Sequence, residues 1–222
     1  MTITPQIKKE YLINLAKKGK RNDDRKFNEF RDIEIETGTI SKAEGSAKVK
    51  IGNTQVISGI KMDLGEPYPD TADWGVMTTA EELIPMVSPD FESGPPREDA
   101  IELARVVDRG IRESEIIDVD KLCLVPAEKI WIIFIDIHII DYDGNLFDAA
   151  SLASLAALMT AKVPVDRFKP MLEKLKDKYP EIEKYLKEHP GSYPLPIKEP
   201  PISCTSVKFD GNVVMDPSLD EE

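Results

Sequence analysis

Cysteine and histidine are nearly missing from this 222-residue chain, which holds two of each. Cys123 and Cys204 lie far apart, and neither has a second cysteine or a histidine at metal-ligand spacing. No disulfide framework and no zinc site is written into the sequence, and a reducing compartment fits. No Ser-His-Asp or Cys-His pattern surrounds His138 or His189, so nucleophilic hydrolysis has no support. Positive charge is short as well: 29 Lys and Arg face 41 Asp and Glu, a formal net charge of −12. As a sum, that balance opposes nucleic-acid binding, because phosphate contacts require lysine and arginine. A basic stripe can still sit on an acidic protein, so distribution outweighs the total. Long apolar runs are lacking too. Ile130 to Ile140 is the longest, is interrupted by Asp136 and His138, and is too short for a bilayer. Residues 1–20 hold no apolar core of signal-peptide type. The expectation is a soluble, cytoplasmic protein with no membrane partner.

What is present supports a folded domain with a real core: 41% of residues are hydrophobic, against 32% charged. Apolar spacing at Ile7, Tyr11, Leu12 and Leu15 predicts a helix over 6–18, which Gly19 stops. Alternation over 30–36 and the segments 46–51, 55–62 and 75–83 read as strands, with Gly52-Asn53 as a hairpin turn. Ser93-Gly94-Pro95-Pro96 introduces a helix over 97–115, whose Glu98 and Asp99 suit its positive end. A long strand over 129–141 follows, with Trp131, Ile133, Ile135, Ile137 and Ile139 on one parity. The helix predicted over 148–162 is so rich in alanine that it must pack closely on a neighbour. Residues 164–200 read as exposed amphipathic helices broken by Pro170, Pro180 and Pro190. Residues 203–215 read as a hairpin around Asp210-Gly211. Strands first, then helices interleaved with strands, predict an α+β fold with a mixed sheet and both long helices on one face.

Three stretches carry a resemblance. They are AEGSAKVKIGNTQVISGIKMDLGEP (43–67), PREDAIELARVVDRGIRES (96–114) and WIIFIDIHIIDYDGNLFDAASLASLAAL (131–158). Together they resemble the RNase PH family over most of residues 21–160. DLGEPYPD, SGPPREDAIELARVVDRGIRES and DYDGNLFDAA are most similar to the non-catalytic RNase PH-like ring subunits of archaeal exosomes. The resemblance implies a ribosomal S5 domain 2-like fold forming a single domain over 1–222. Its core would be 20–160, with a helical insertion at 164–200 and the start of C-terminal strands, cut short, at 203–222. It implies a ring of three heterodimers with a catalytic RNase PH-like subunit, cap subunits that bind RNA, and phosphate-dependent trimming of single-stranded RNA from the 3′ end, with no cofactor. Catalytic members carry an arginine pair where this chain has Glu98-Asp99, and a Gly-Ser/Thr-Arg phosphate loop where it has Asn145-Leu146-Phe147. No catalytic residue is assigned. Two other functions stay open: a stand-alone phosphorolytic exoribonuclease with an unusual phosphate site, and a scaffold that touches no RNA.

Arg105, Arg109 and Arg112 recur at i, i+4 and i+7, which aligns three guanidiniums along one helix face. Such a stripe can follow RNA phosphates. It can equally be paired within the helix, since Glu102 precedes Arg105 by three and Asp108 precedes Arg112 by four. The resemblance tips the choice to RNA, because the matching family helix lines the RNA path. Arg97 is a weaker member that can instead cap its own helix. Asp141, Asp143 and Asp148 suggest a Mg²⁺ site only faintly, because nothing completes the coordination set. His138 reads as a core or interface histidine and His189 as a surface one. The loop Glu66 to Asp70 reads as a rigid connector, or as a shaper of an interface.

Overall fold

The computed structural model describes residues 3–89, 91 and 94–222. Ser93, which the sequence places at the start of the 97–115 helix, lies outside the described residues. In chain order come helix α1 (Ile3–Lys17) and strands β1 (Ile33–Thr37), β2 (Gly45–Ile51), β3 (Thr54–Gly65) and β4 (Val76–Glu82). Helix α2 (Glu98–Glu113), strands β5 (Cys123–Val125) and β6 (Lys129–Asp141), and helix α3 (Leu146–Thr160) follow. The remainder is β7 (Lys162–Val163), α4 (Val165–Leu175), α5 (Pro180–Glu188), β8 (Tyr193–Pro194), β9 (Ser206–Phe209) and β10 (Asn212–Met215).

The main sheet runs β1-β2-β3-β6-β4, with β5 also on β6. It is mixed: β4 lies parallel to β6 at the edge, and the other pairs are antiparallel. Gly52 and Asn53 join β2 to β3 in a two-residue turn, with Ile51 paired to Thr54 and Gly52 at φ +57°. A strand's period of two puts Trp131, Ile133, Ile135, Ile137 and Ile139 on one face, where all are fully buried. Each such side chain stabilises the fold by about 1.5–3 kcal/mol relative to exposure. Both long helices cover that face. α2 contributes Leu103, Val107 and Ile111, and α3 contributes Ala149, Ala150, Ala153 and Ala157. α3 comes so near β2 that a Cβ built on Gly45 would lie 2.3 Å from the Ala157 carbonyl oxygen.

Several expectations need correction. The same period of two places His138 on the opposite face, 48% exposed, with Nδ1 3.6 Å from Glu82 Oε2, so it is no core histidine. His189 is half-buried rather than on the surface, stacked on Tyr193 and tilted against Tyr185. Ile7 and Tyr11 of α1 are exposed, Leu12 and Leu15 are half-buried, and Ala16 is buried. Pro170 does not break its helix but sits inside α4, where it removes only the bond to the Asp166 carbonyl. Pro180 opens α5 and Pro190 follows its end, as their missing N–H groups favour. Residues 164–200 are less exposed than their charge suggests. The Phe168 ring meets Trp131 edge-on at 5.2 Å, Leu172 and Ile182 are buried, and Trp131 Nε1 donates to Tyr185 Oη at 2.8 Å. The β9–β10 turn has Asp210 at φ +43° and Gly211 at +91°, the left-handed pair that a two-residue hairpin needs.

Candidate nucleic-acid interface

α2 buries Ala100, Leu103, Val107 and Ile111 as one stripe. At about 100° per residue, Arg105, Arg109 and Arg112 fall on the opposite side, and all three are exposed. They do not share one environment. Arg112 donates twice to Asp108, at 3.0 and 2.9 Å, and its Nη2 reaches the Met77 carbonyl oxygen of β4 at 3.1 Å. Hydrogen bonding to Asp108 raises its pKa above the ordinary arginine value. Asp108 also accepts from the Thr79 hydroxyl at 3.2 Å, so the Asp108–Arg112 pair bolts α2 to the sheet edge. Arg109 only approaches Glu113, at 4.0 Å with both side chains mostly exposed, a contact of little energetic weight. The expected Glu102–Arg105 pair does not form, and Arg105 has no ion pair among the described residues. Arg97 occupies the N-cap position without a capping hydrogen bond from its side chain.

Beyond Arg112, the loop that includes Tyr68 opens a cavity of about 650 Å³, walled also by Trp74, Asp118 and Asp120. Its acidic lining opposes phosphate there, and within the α2 row Arg105 and Arg109 are less tied to other groups than Arg112.

The second feature is the turn between β6 and α3. Asn145 adopts the left-handed conformation (φ +59°, ψ +49°) and is fully buried. Its amide nitrogen donates to Asp148 Oδ2 at 2.9 Å and to Asp216 Oδ1 at 2.7 Å, while its Oδ1 accepts from the Asp148 N–H at 3.4 Å. Its backbone N–H donates to Glu222 Oε1 at 2.6 Å, and the Tyr142 hydroxyl donates to Glu222 Oε2 at 2.6 Å. Arg31 reaches across to the Asp143 and Gly144 carbonyls at 2.6 and 3.1 Å and pairs with Asp216 at 2.7 Å. Burial alone would raise the Asp216 pKa. Hydrogen bonds from Arg31 and Asn145 outweigh that and hold it at about 2. A helix N-terminus is a ready anion seat. Here the protein's own carboxylates occupy it.

The three aspartates of the sequence pattern are therefore spent elsewhere. Asp148 accepts from Ser203, from Thr205 and from Asn145, Asp143 accepts from Asn53 at 3.1 Å, and Asp141 accepts from the Tyr142 N–H at 2.9 Å. No group of three His, Cys, Asp or Glu side chains among the described residues is arranged to hold a metal ion. Nor is any helix among them long and apolar enough to cross a membrane.

Residues 29–164 match the 3′ exoribonuclease family, domain 1 (RNase PH). The chain belongs to the RNase PH family. Within the family it is 52% identical over 220 residues to the exosome complex component Rrp42 of Methanocella arvoryzae, covering 99% of this chain and 77% of that one. It is likewise 52% identical to Rrp42 of Thermococcus gammatolerans over 216 residues, 97% of this chain and 75% of the relative. Among solved RNase PH-like structures, it superimposes on a chain of the Archaeoglobus fulgidus exosome with RNA bound to the active site. The TM-score is 0.87 at 48% identity, over 99% of this chain and 79% of the other. An archaeal exosome core chain gives a TM-score of 0.81 at 45% identity, over 99% and 76%. The α+β fold with helices on one sheet face is thus an RNase PH fold.

Sequence reading of this family member missed two groups. Asp216 and Glu222 lie in the acidic run 216–222, with no local signal for a role, yet they close the Asn145 turn. Glu81 alternates with threonine and alanine like any edge residue, yet it is buried, and neither carboxyl oxygen has a hydrogen-bond partner. A carboxylate at a core-parity position of β4 is the one signal that could have exposed it.

Proposed function

We propose that this chain is a non-catalytic subunit of an archaeal exosome ring. It pairs with a catalytic RNase PH-like subunit in a ring of three heterodimers, carries RNA-binding cap subunits, and works in the cytoplasm. It orders the catalytic neighbour's active site and guides single-stranded RNA toward phosphorolysis from the 3′ end. The observation that carries the non-catalytic reading is the occupied α3 N-terminus. Glu222 holds the Asn145 N–H, and Asp216 and Asp148 hold the Asn145 amide, where a phosphorolytic enzyme needs open donors for phosphate. Carboxylates fixed there repel a second anion. The RNA-guiding role rests on Arg105 and Arg109, exposed on the outer face of α2 with little or no pairing, and on Arg112 at the end of the same row. Single-stranded RNA binding through such a row releases counterions, so it weakens with salt, with a log–log slope of about −0.7 per phosphate contacted.

The test is phosphate-dependent RNA degradation by this chain alone and by its mixture with a catalytic RNase PH-like subunit. Silence alone, with activity in the mixture above the partner's own level, is the expected result. Release of nucleoside diphosphates by the chain alone would overturn the non-catalytic reading in favour of a stand-alone exoribonuclease.

A further inference from the structure

We infer that the groove between β4 and α2 receives an extended polypeptide segment of a neighbouring ring subunit, whose arginine or lysine side chain pairs with Glu81. The inference rests on the ring reading above and names one of its contacts.

Glu81 is 3% exposed, and both of its carboxyl oxygens are buried without a hydrogen-bond partner. A native fold rarely leaves such a group unmatched, because stripping water from a carboxylate is costly unless a donor replaces it. The surroundings supply none. Across the sheet, β6 places Ile137 beside Glu81 and Ile135 beside Thr79, both fully buried. Above it, α2 lines the groove with Ala100, Ala104 and, at the rim, Arg105, Asp108 and Arg112. Arg112 is committed to Asp108 and the Met77 carbonyl, and Arg105 makes no bond to Glu81. Glu82, next along β4, points to the other face, towards His138. No cation offsets the burial, which pushes the Glu81 pKa up to about 8.

The groove also has the backbone a peptide would use. β4 is an edge strand, paired on one side with β6. The Met77 carbonyl faces outward to Arg112, and the strand's period of two turns the backbone groups of Thr79 and Glu81 to the same open edge. An added strand satisfies such an edge by main-chain hydrogen bonds, and a side-chain pocket beside it gives specificity. The groove has an open volume of about 440 Å³, and Glu81 is the carboxyl in it without a partner, since Asp108 is held by Arg112 and Glu82 turns to the other face. A cationic side chain beside Glu81 would supply the missing donor.

Docking has a proton signature. Unpaired, Glu81 holds its proton at pH 7. An arriving guanidinium or ammonium stabilises the carboxylate, and the proton leaves to the buffer. Assembly of this chain with a catalytic RNase PH-like subunit is therefore followed by calorimetry at pH 7 in two buffers of different ionisation enthalpy. Glu81 contributes close to one released proton per chain on this reading. Glu81→Gln, which matches the neutral acid in shape, loses that proton and weakens assembly by roughly tenfold or more, while the isolated variant melts no lower than the parent. Glu81→Met fills the same space without a carboxyl and gives the same loss if the Gln variant does not fold. Equal proton release and equal affinity in the parent and the variant overturn the docking site and leave the ring intact. Failure of the parent chain to assemble at all removes the ring reading and the docking site together.

Discussion

The Glu222 side chain accepts the backbone N–H of Asn145 at 2.6 Å, at the start of α3. A charged acceptor there makes a bond that a dissolved anion must displace. Millimolar inorganic phosphate should therefore leave the melting temperature of the isolated chain unchanged in a thermal shift assay. A ligand that binds the folded state alone would raise it. A phosphate-dependent rise would show that the seat is open after all.

Arg105 and Arg112 belong to one row but differ in attachment, so mutation separates them. Arg112→Ala removes the bonds to Asp108 and Met77 and should cost about 0.5–1 kcal/mol in chemical denaturation, as a half-exposed pair with an added hydrogen bond allows. Arg105→Ala breaks no ion pair and should leave stability within about 0.5 kcal/mol. Replacing Arg105 and Arg109 together by Glu should slow RNA trimming by the assembled complex without dissolving the ring. Unchanged trimming would make the row an ordinary solvated face.

Asp216 faces Arg25 and Arg31 at 2.7 Å each and also takes the Asn145 amide. Asp216→Ala takes the paired carboxylate from the part-buried Arg31, while Arg25 keeps Asp23 at 2.6 Å, and should cost about 3–5 kcal/mol. The acid dependence follows from its pKa, which folding lowers from an ordinary 3.8 to about 2. The unfolded chain takes up the proton first as pH falls. The stabilisation is complete above the unfolded value and disappears as pH drops through the folded one. An Asp216→Asn variant should lose the part of the acid-unfolding curve between those two values.

Glu81 works in the opposite direction. Its pKa rises on folding from 4.5 to about 8, because burial disfavours the ionised form. Below the unfolded value the acid is neutral in both states and costs nothing. As pH climbs toward the folded value, the unfolded chain alone ionises and native stability drains away by a few kcal/mol. Parent and Glu81→Gln chains should match near pH 4 and diverge up to about pH 8, with the variant more stable. Parallel curves across that range would mean that Glu81 ionises freely.

Tyr185 tests the tie between α5 and the sheet. Its hydroxyl is the acceptor for the buried Trp131 indole N–H. Tyr185→Phe strands that donor and should cost about 1–3 kcal/mol in denaturant unfolding.

How far the chain could be read from its letters depended on how local each cause was. β6 alternates so regularly that its bounds and its buried face follow from periodicity alone. The α2 arginine row was equally legible, since an i, i+4, i+7 spacing fixes one face. The fate of each arginine was not, because the Met77 carbonyl that anchors Arg112 comes from a strand thirty-five residues earlier. The α3 start was placed two residues late. Asn145 caps it from a left-handed conformation that its own side chain stabilises, a choice periodicity does not register. His138 lies among isoleucines that suggest a core, whereas strand parity sends it outward, which removes the core half of the core-or-interface reading. The closing acids Asp216 and Glu222 lie more than seventy residues from Asn145, and no short window contains both ends.

Gly45 and Ala157 touch backbone to backbone, with no side chain between them to yield. Moving α3 along its axis by a single residue would bring a larger group onto a spot sized for a hydrogen atom. The helix is thus indexed like a key against a stop, and the stop lies near its C-terminal end. The polar turn at the other end inherits its position from that contact. A bulky residue at 45 would be felt about 20 Å away, at Asn145, as a misaligned set of donors, before any residue of the turn itself had changed.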